Sequence, residues 1–191
     1  MDVLRDALVI MAGYLLGAIP SGLIVGRLIK GIDLRDFGSG KTGATNALRT
    51  LGKAPAALVL VLDRGKGLLA VLVAHLATGA IAVECLAGLA AVVGHNWPVY
   101  AGFRGGRGVL VSFGIFWLLC WPAALVCTVI GLIIIAALRM VSLGVLVGTG
   151  IGLCVAIPVV LAGFGLSSHR VSSGASRPPK AGGAKPRALR S

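Results

Sequence analysis

The feature that most limits the fold of this chain is a series of long apolar segments. Residues 7–26 contain no charged side chain, and apolar runs return at about 54–78, 84–101 and 109–138. A helix needs about 20 apolar residues to cross the hydrocarbon of a bilayer. Hydrophobic residues make up 57% of the 191 residues and charged residues 13%, which is too little polar surface for a soluble globule. The sequence therefore predicts an all-α integral membrane protein.

These segments predict a polytopic bundle of about six transmembrane helices within residues 1–165. We interpret the first helix as a retained span and not a signal peptide, because the residues before it are slightly acidic. The run at 109–138 is too long for one span, and Trp121-Pro122 inside it is typical of a turn at the membrane surface. The expected helices lie at about 7–28, 54–78, 84–101, 109–120, 123–138 and 143–165.

The basic residues are unevenly distributed, and their positions predict the orientation of the chain. Eighteen Lys and Arg stand against six Asp and Glu, for a net charge of +12. In a soluble protein this excess would favour a nucleic-acid partner, but in a membrane protein the positions matter more than the sum. The basic residues concentrate in loops 27–53 and 104–107, and 67–103 contains none. The positive-inside rule places both loops in the cytoplasm and the N-terminus outside, and we expect no nucleic-acid partner.

The last part of the chain, residues 166–191, has a different composition. It is rich in Ser, Gly, Pro, Lys and Arg and has few large apolar residues. A segment of this composition cannot bury a core of its own, so we expect a disordered basic tail.

The four cysteines do not indicate a metal site. They lie in or beside apolar segments, without C-x-x-C or Cys/His spacing. We predict that they are small buried side chains and that the protein holds no metal ion.

The segment 38–46, GSGKTGATN, is similar to the phosphate loop of nucleotide hydrolases but does not match it. The pattern G-x-x-x-x-G-K-[ST] requires glycine at position 35, which is Arg35. The glycines still let backbone N–H groups and hydroxyls converge on an anion, so we predict a phosphate-binding loop. A flexible polar loop between two helices is the alternative. The residues that carry the prediction are Gly38, Ser39, Gly40, Thr42, Gly43, Thr45 and Asn46.

Three charged residues interrupt the second apolar run, at Asp63, Arg64 and Lys66. Each charge inside the hydrocarbon costs about 2.5–3.5 kcal/mol on insertion scales, so such groups are paired or functional. One interpretation is an Asp63–Lys66 pair at i, i+3 that neutralises itself. The other is that Asp63 and Lys66 help to form a polar substrate site.

The segment 94–109, GHNWPVYAGFRGGRGV, sets two arginines among glycines beside a histidine at the membrane edge. Guanidinium groups make bidentate contacts with phosphate, and glycines let the backbone approach closely. The alternatives are snorkelling arginines on an ordinary loop and a structural histidine. The candidate residues here are His95, Arg104, Gly105, Gly106, Arg107 and Gly108. A third segment, RMVSLG, contains Arg139 and Ser142 but by itself is ordinary helix-capping chemistry.

Together, GSGKTGATNALR, GHNWPVYAGFRGGRGV and RMVSL, in this order, with DRGKG between the first two, resemble the bacterial acyl-phosphate:glycerol-3-phosphate acyltransferase family, PlsY. The resemblance covers about residues 7–165. It implies a membrane enzyme, usually of seven helices, that moves an acyl group from acyl phosphate to the 1-hydroxyl of glycerol 3-phosphate. The products are lysophosphatidic acid and phosphate, in the first acylation of bacterial phospholipid synthesis. It implies no cofactor, no metal and no thioester donor.

The resemblance also implies roles for residues at matching positions. The first motif puts Ser39 and Arg49 at the reacting centre, the second adds His95 and Arg107, and the third adds Ser142. The implied substrate-binding residues are Gly38, Gly40, Lys41, Thr45, Asn46, Asp63, Lys66, Arg104, Gly105, Gly106, Gly108 and Arg139. Two positions depart from the family pattern, with Lys41 where Asn is usual and Arg107 where Lys is usual.

The family normally continues through another span to a basic H-R-x-N ending. Here His169-Arg170-Val171-Ser172 arrives early and lacks the Asn, so we expect a truncated chain. The resemblance implies the bacterial plasma membrane, with substrates acyl phosphate and glycerol 3-phosphate, the bilayer as surroundings, and the soluble enzyme that makes acyl phosphate as a further partner.

Three other functions were weighed against this one. A small anion transporter predicts polar loops on both membrane faces, whereas these gather on one. An inactive truncated membrane scaffold also remains an alternative. A thioester-dependent enzyme of the H-x-x-x-x-D type fails, because no Asp stands five residues after any of the three histidines.

Overall fold

The structure is a bundle of α-helices in the part of the chain that it describes. The computed structural model describes residues 2–138 and the helical positions 144, 147, 148, 151 and 154. These residues contain no β-strand, which confirms the all-α class. The helices are α1 (Val3–Ala18), α2 (Ser21–Lys30), α3 (Ala44–Thr50), α4 (Lys53–Thr78), α5 (Ile81–Asn96), α6 (Val109–Leu119) and α7 (Trp121–Leu138), with 3₁₀ turns at Leu34–Asp36 and Val99–Ala101.

Several predictions fall outside the described residues. These are Arg139, Ser142, most of the helix at 143–165, the boundary at 165 and the tail at 166–191. The described positions belong to one compact unit, Met1–Ala156.

The first span is broken, and the prediction of one continuous helix over 7–28 is wrong. α1 ends at Ala18 and α2 begins at Ser21, with Ile19 at ψ 115° and Pro20 at ψ 73° between them. Proline has no N–H to donate and disfavours helical geometry at the residue before it. The break therefore leaves backbone carbonyls inside the bundle that need other donors.

Two stretches of the described chain are both long enough and apolar enough to cross a bilayer. They are the broken segment Val3–Lys30 and the helix Trp121–Leu138. α4 has the length but carries Asp63, Arg64 and Lys66 in its middle, and α5 has 16 residues.

The helix limits predicted from the sequence are close to the observed ones for α4 but not for α5. α4 starts one residue before the predicted 54 and stops as predicted, at Gly79, which adopts φ 61° and caps the His75 carbonyl. α5 instead occupies Ile81–Asn96, not 84–101. Its end is set by Pro98, because the preceding Trp97 takes an extended φ of −127°.

The predicted polar loop at 29–53 contains a helix that the sequence analysis missed. α2 ends at Lys30 and is capped by Gly31, which has φ 68°, and the chain then forms a 3₁₀ turn before α3. α3 packs against α4 and, less extensively, against α2. The loop is therefore a folded layer at one end of the bundle.

Small residues bring the helices into close contact. A Cβ added at Gly17 would overlap the Ala91 backbone, and one at Gly13 would press on Ala87, so α1 and α5 meet along a seam of small residues. In the same way Gly67 lies against Val111 and joins α4 to α6. These contacts hold α1 against α5 and α4 against α6.

Candidate active site

The two glycine-rich segments meet at one end of the bundle. Arg35, in the loop between α2 and α4, donates from Nη1 to the Ala101 carbonyl in the loop between α5 and α6 over 2.8 Å. Tyr14 Oη, near the end of α1, donates to the Trp97 carbonyl over 3.0 Å. The shared face predicted for these two loops is therefore present, and the third loop, at 139–142, lies outside the described residues.

Asn46 holds the first glycine-rich segment in shape. Its Nδ2 lies 2.9 Å from the Leu34 carbonyl, 3.0 Å from that of Phe37 and 2.8 Å from that of Lys41. Its Oδ1 accepts from the Ser39 N–H over 3.1 Å. Because the side chain is 2% exposed and surrounded by the loop backbone, Asn46 acts on the shape of the loop. A direct contact of Asn46 with substrate stays a prediction.

We expect Asn46→Ala to destabilise the protein by about 1–3 kcal/mol, because it leaves buried carbonyls without a donor. Thermal unfolding of the purified variant measures the change. Leu48→Ala, at an exposed position of the same helix, is the matched control and should leave the melting temperature nearly unchanged. Equal melting temperatures for the two variants would show that the loop does not depend on Asn46.

Thr42 is buried, at 3% exposure, whereas four other side chains predicted here face outward. Ser39, Lys41, Thr45 and Arg49 are all exposed. Gly38 and Gly40 have φ 56° and 66°, the left-handed region that favours glycine. The Gly40 N–H already donates to the Phe37 carbonyl over 3.1 Å, so an anion would rely more on side chains than the sequence suggested.

Asp33 and Arg35 form an ion pair with two side-chain hydrogen bonds, just before the first glycine-rich segment in the chain. Arg35 donates from Nε to Asp33 Oδ1 over 3.0 Å and from Nη2 to Asp33 Oδ2 over 2.6 Å. These bonds lower the pKa of Asp33 to about 2 and raise that of Arg35. The ionised Asp33 carboxylate therefore makes its full contribution to the stability of the fold above its ordinary pKa of 3.8. This contribution is lost as the pH falls through about 2. Arg35 was not among the predicted site residues.

Arg35→Lys should lower turnover about tenfold, because the link that positions the two loops would be weakened. A lysine ammonium cannot make two parallel hydrogen bonds to the Asp33 carboxylate and also donate to the Ala101 carbonyl. The measurement is kcat and KM beside the melting temperature. Arg5→Lys is the control, since Arg5 forms an exposed pair with Asp6 near the start of α1. If Arg35→Lys behaves like Arg5→Lys, the link between the loops does not position the site.

Below the loops, Asp63 and Lys66 of α4 and His95 of α5 form a buried polar cluster. They are 1%, 6% and 6% exposed. Lys66 Nζ lies 3.0 Å from Asp63 Oδ1, so the two side chains form an ion pair. The two groups are not aligned for a hydrogen bond. His95 Nδ1 lies 3.6 Å from the same oxygen. The predicted i, i+3 pair thus exists, and it also faces a candidate catalytic residue.

Lys66 has a second contact that explains its place in the membrane. Its Nζ donates to the Ile19 carbonyl over 2.9 Å, at the break beside Pro20. The ammonium therefore acts with the Ser21 N–H, which donates to the same carbonyl over 3.0 Å, in place of the N–H that a continuous helix would have supplied. No sequence signal pointed to Ile19, because its partner lies 47 residues away.

The second glycine-rich segment folds over His95. The Gly106 N–H donates to the His95 carbonyl over 3.1 Å, and the Gly105 N–H donates to that of Asn96 over 3.2 Å. A Cβ at Gly106 would overlap the imidazole at Nε2, which shows how closely the backbone approaches. Gly108 has φ 71° and lies against Asn96. The neighbouring Arg104 and Arg107 are exposed.

Other polar groups lie apart from this cluster. The Arg64 guanidinium stacks on Trp117 of α6, with Cζ 4.9 Å from the ring centroid, so the third charge in the membrane has an aromatic partner. Among the described residues, no group of three or more His, Cys, Asp or Glu is placed to hold a metal ion. Cys120 and Cys127 are buried as predicted, but Cys85 and Cys154 are exposed, which corrects that prediction for these two.

The chain matches the family profile described as glycerol-3-phosphate acyltransferase over residues 7–173. It is 47% identical over 172 residues to the glycerol-3-phosphate acyltransferase of Parasynechococcus marenigrum (strain WH8102), covering 90% of this chain and 79% of that one. It is also similar to the crystal structure of PlsY (YgiH), an integral membrane glycerol 3-phosphate acyltransferase. In its glycerol 3-phosphate form that structure has a TM-score of 0.76 and 36% identity, with coverage of 81% of this chain and 77% of that chain.

The lysophosphatidic acid form of PlsY gives a TM-score of 0.73 at 35% identity, with coverage of 81% of this chain and 76% of that chain. The matched residues 7–173 include both glycine-rich segments and the buried cluster. The fold, the order of the segments and these likenesses agree. The chain is a member of the glycerol-3-phosphate acyltransferase family, integral membrane acyltransferases of phospholipid synthesis.

Proposed function

We propose that the protein transfers a fatty acyl group from acyl phosphate to the 1-hydroxyl of glycerol 3-phosphate and releases lysophosphatidic acid and phosphate. The observation that carries the proposal is the second loop, whose glycine backbone closes on buried His95 between two exposed arginines. The glycerol 3-phosphate and lysophosphatidic acid forms of PlsY support this choice of acceptor and product.

The proposed reaction needs no covalent intermediate. Acyl phosphate is a mixed anhydride, so its acyl carbon is already activated for attack by a hydroxyl. The protein has to align that hydroxyl with the carbonyl and stabilise the charge on the departing phosphate. Arg49 and Arg107 are exposed guanidinium groups suited to the second task, and Ser39 is an exposed hydroxyl in the first loop.

The hydroxyl proton must leave as the new ester bond forms. A phosphate oxygen of the substrate is our proposed acceptor, with the His95 imidazole as its rival. Asp63 lies on the Nδ1 side of that imidazole and Gly106 on the Nε2 side, so both restrict its rotation. Asp63 is then a positioning residue, and its contact with substrate stays a prediction.

The proposed location is the bacterial plasma membrane, with both loops facing the cytoplasm. This orientation follows from the basic residues in 27–53 and 104–107. Acyl phosphate and glycerol 3-phosphate would reach the loops from that side. The soluble enzyme that makes acyl phosphate is the proposed protein partner.

Phosphate release tests the proposed chemistry. The purified full chain in lipid should release phosphate from palmitoyl phosphate only when glycerol 3-phosphate is present. Arg107→Gln should slow this release about 100-fold, because one charge that stabilises the departing phosphate is lost. Lys53→Gln, an exposed charge at the start of α4, should have little effect. Release that does not depend on glycerol 3-phosphate would be hydrolysis and would contradict acyl transfer to this acceptor. No release in its presence would leave the transporter and scaffold functions.

A further inference from the structure

A cleft of about 510 Å³ lies between α2 and the loop that follows α5. Its polar lining includes the guanidinium groups of Arg27, Arg35 and Arg104, and its apolar lining includes Leu23, Ile24 and Tyr100. The volume is within the range of about 300–1,000 Å³ that is usual for small-molecule sites. Among the predicted site residues, Arg104 lines this cleft, whereas Ser39, Arg49, His95 and Arg107 do not.

The charge in this cleft is not balanced by the protein. Asp33 is the carboxylate that pairs with these arginines, and it is held at 2.6 Å by Arg35. Arg27 lies 3.9 Å from the same carboxylate, with 68% of its side chain exposed. No ion pair forms at Arg104 among the described residues. The Arg104 guanidinium therefore remains for an anion, the Arg27 guanidinium makes only a long and exposed contact with Asp33, and Arg35 is a fixed part of the wall.

The apolar side of the cleft continues into a face that would contact lipid. Ile24, Arg27 and Leu28 lie three and four residues apart on one face of α2. Leu28 is 80% exposed and Ile24 is 43% exposed, as is usual for side chains that face hydrocarbon in an integral membrane protein. Tyr100, across the cleft, is 59% exposed and has the amphipathic character of an interfacial residue.

The geometry points to a second phosphate site in this cleft, which takes the phosphate monoester headgroup of a single-chain amphiphile from the bilayer. A monoester carries a charge of about −1.5 to −2 at neutral pH. This charge suits the unpaired Arg104 guanidinium together with the loosely paired Arg27 guanidinium better than the single charge of a phosphodiester does. The chain of the ligand would lie along the apolar face of α2. The choice of an acyl-chain ligand rests on the proposed function, but the anion site itself does not.

The test is equilibrium binding of labelled dodecyl phosphate to the full chain in phosphatidylcholine nanodiscs, with empty discs subtracted. We expect two classes of sites. Arg27→Gln should weaken one class about fivefold, because a charge-assisted contact is lost at a partly exposed position. Arg49→Gln should weaken the other class. Lys53→Gln, an exposed charge outside the cleft, should change neither.

Each outcome decides for or against the cleft. A class of sites that depends on Arg27 and not on Arg49 supports the phosphate site in the cleft. This result would hold even in a preparation that shows no turnover, so the binding proposal can be tested separately from the proposed reaction. It is overturned if Arg27→Gln binds like the wild type, or if both substitutions weaken a single class. It is also overturned if phosphatidylglycerol in the disc displaces the probe from the Arg27-dependent class, because the cleft would then be a phosphodiester site.

Discussion

Lys66→Met is expected to reduce the free energy of unfolding by about 3–5 kcal/mol, because it leaves Asp63 as an unpaired charge in the buried cluster. The substitution also removes one of the two donors to the Ile19 carbonyl at the break in the first span. Both side chains of the pair are at most 6% exposed, so water cannot replace the lost partner. Equilibrium unfolding of the purified protein in mixed micelles measures the change.

The double variant with Asp63→Asn separates the two contributions of Lys66. Removing both charges should restore much of the stability. Recovery should stay incomplete because the Ile19 carbonyl keeps only one of its two donors, the Ser21 N–H at 3.0 Å. Lys53→Met, at an exposed position of the same helix, is the control for charge alone. If Lys66→Met costs no more than Lys53→Met, the buried pair does not stabilise the fold.

Gly106→Ala should reduce turnover about 100-fold while the helices remain folded, because the added methyl group displaces the His95 imidazole. A Cβ at this position overlaps Nε2 and lies 2.8 Å from Cε1. The measurement is kcat beside the melting temperature. Gly65→Ala is the matched control, since a Cβ at this exposed position of α4 meets no atom within 4 Å.

The double variant His95→Ala with Gly106→Ala tests whether the loss comes from the imidazole. Removing the ring removes the overlap, so the double variant should regain the melting temperature of His95→Ala. It should not regain turnover, because the displaced group is now absent. Wild-type turnover in Gly106→Ala would show that the close approach of the loop to His95 has no part in the reaction.

The fold was predictable where hydropathy alone determines it. α4 and the helices within 109–138 lie close to the predicted limits, because long apolar runs and glycine caps are local signals. Apart from the missed helix α3, the errors occur at prolines inside apolar runs. Pro20 breaks the first span and Pro98 shortens α5, and both were treated as parts of continuous helices although proline is a local signal too.

The site was predictable as a set of residue types but not as an arrangement. The Asp63–Lys66 pair could be predicted because it is local, at i, i+3. Its contacts with His95 and Ile19 join distant segments, and the sequence has no signal for them. For the same reason Arg35 was missed, since its partner Ala101 lies 66 residues away. Asn46 was predicted at the site, but its bonds to the loop backbone became visible only in the folded chain.

The central claim is that this chain acylates glycerol 3-phosphate from acyl phosphate. Its most direct test is the formation of lysophosphatidic acid by the purified full chain in lipid, with palmitoyl phosphate and palmitoyl-CoA offered as donors in separate reactions. The account predicts lysophosphatidic acid from palmitoyl phosphate and none from palmitoyl-CoA. Product from palmitoyl-CoA alone, or from neither donor, would contradict it.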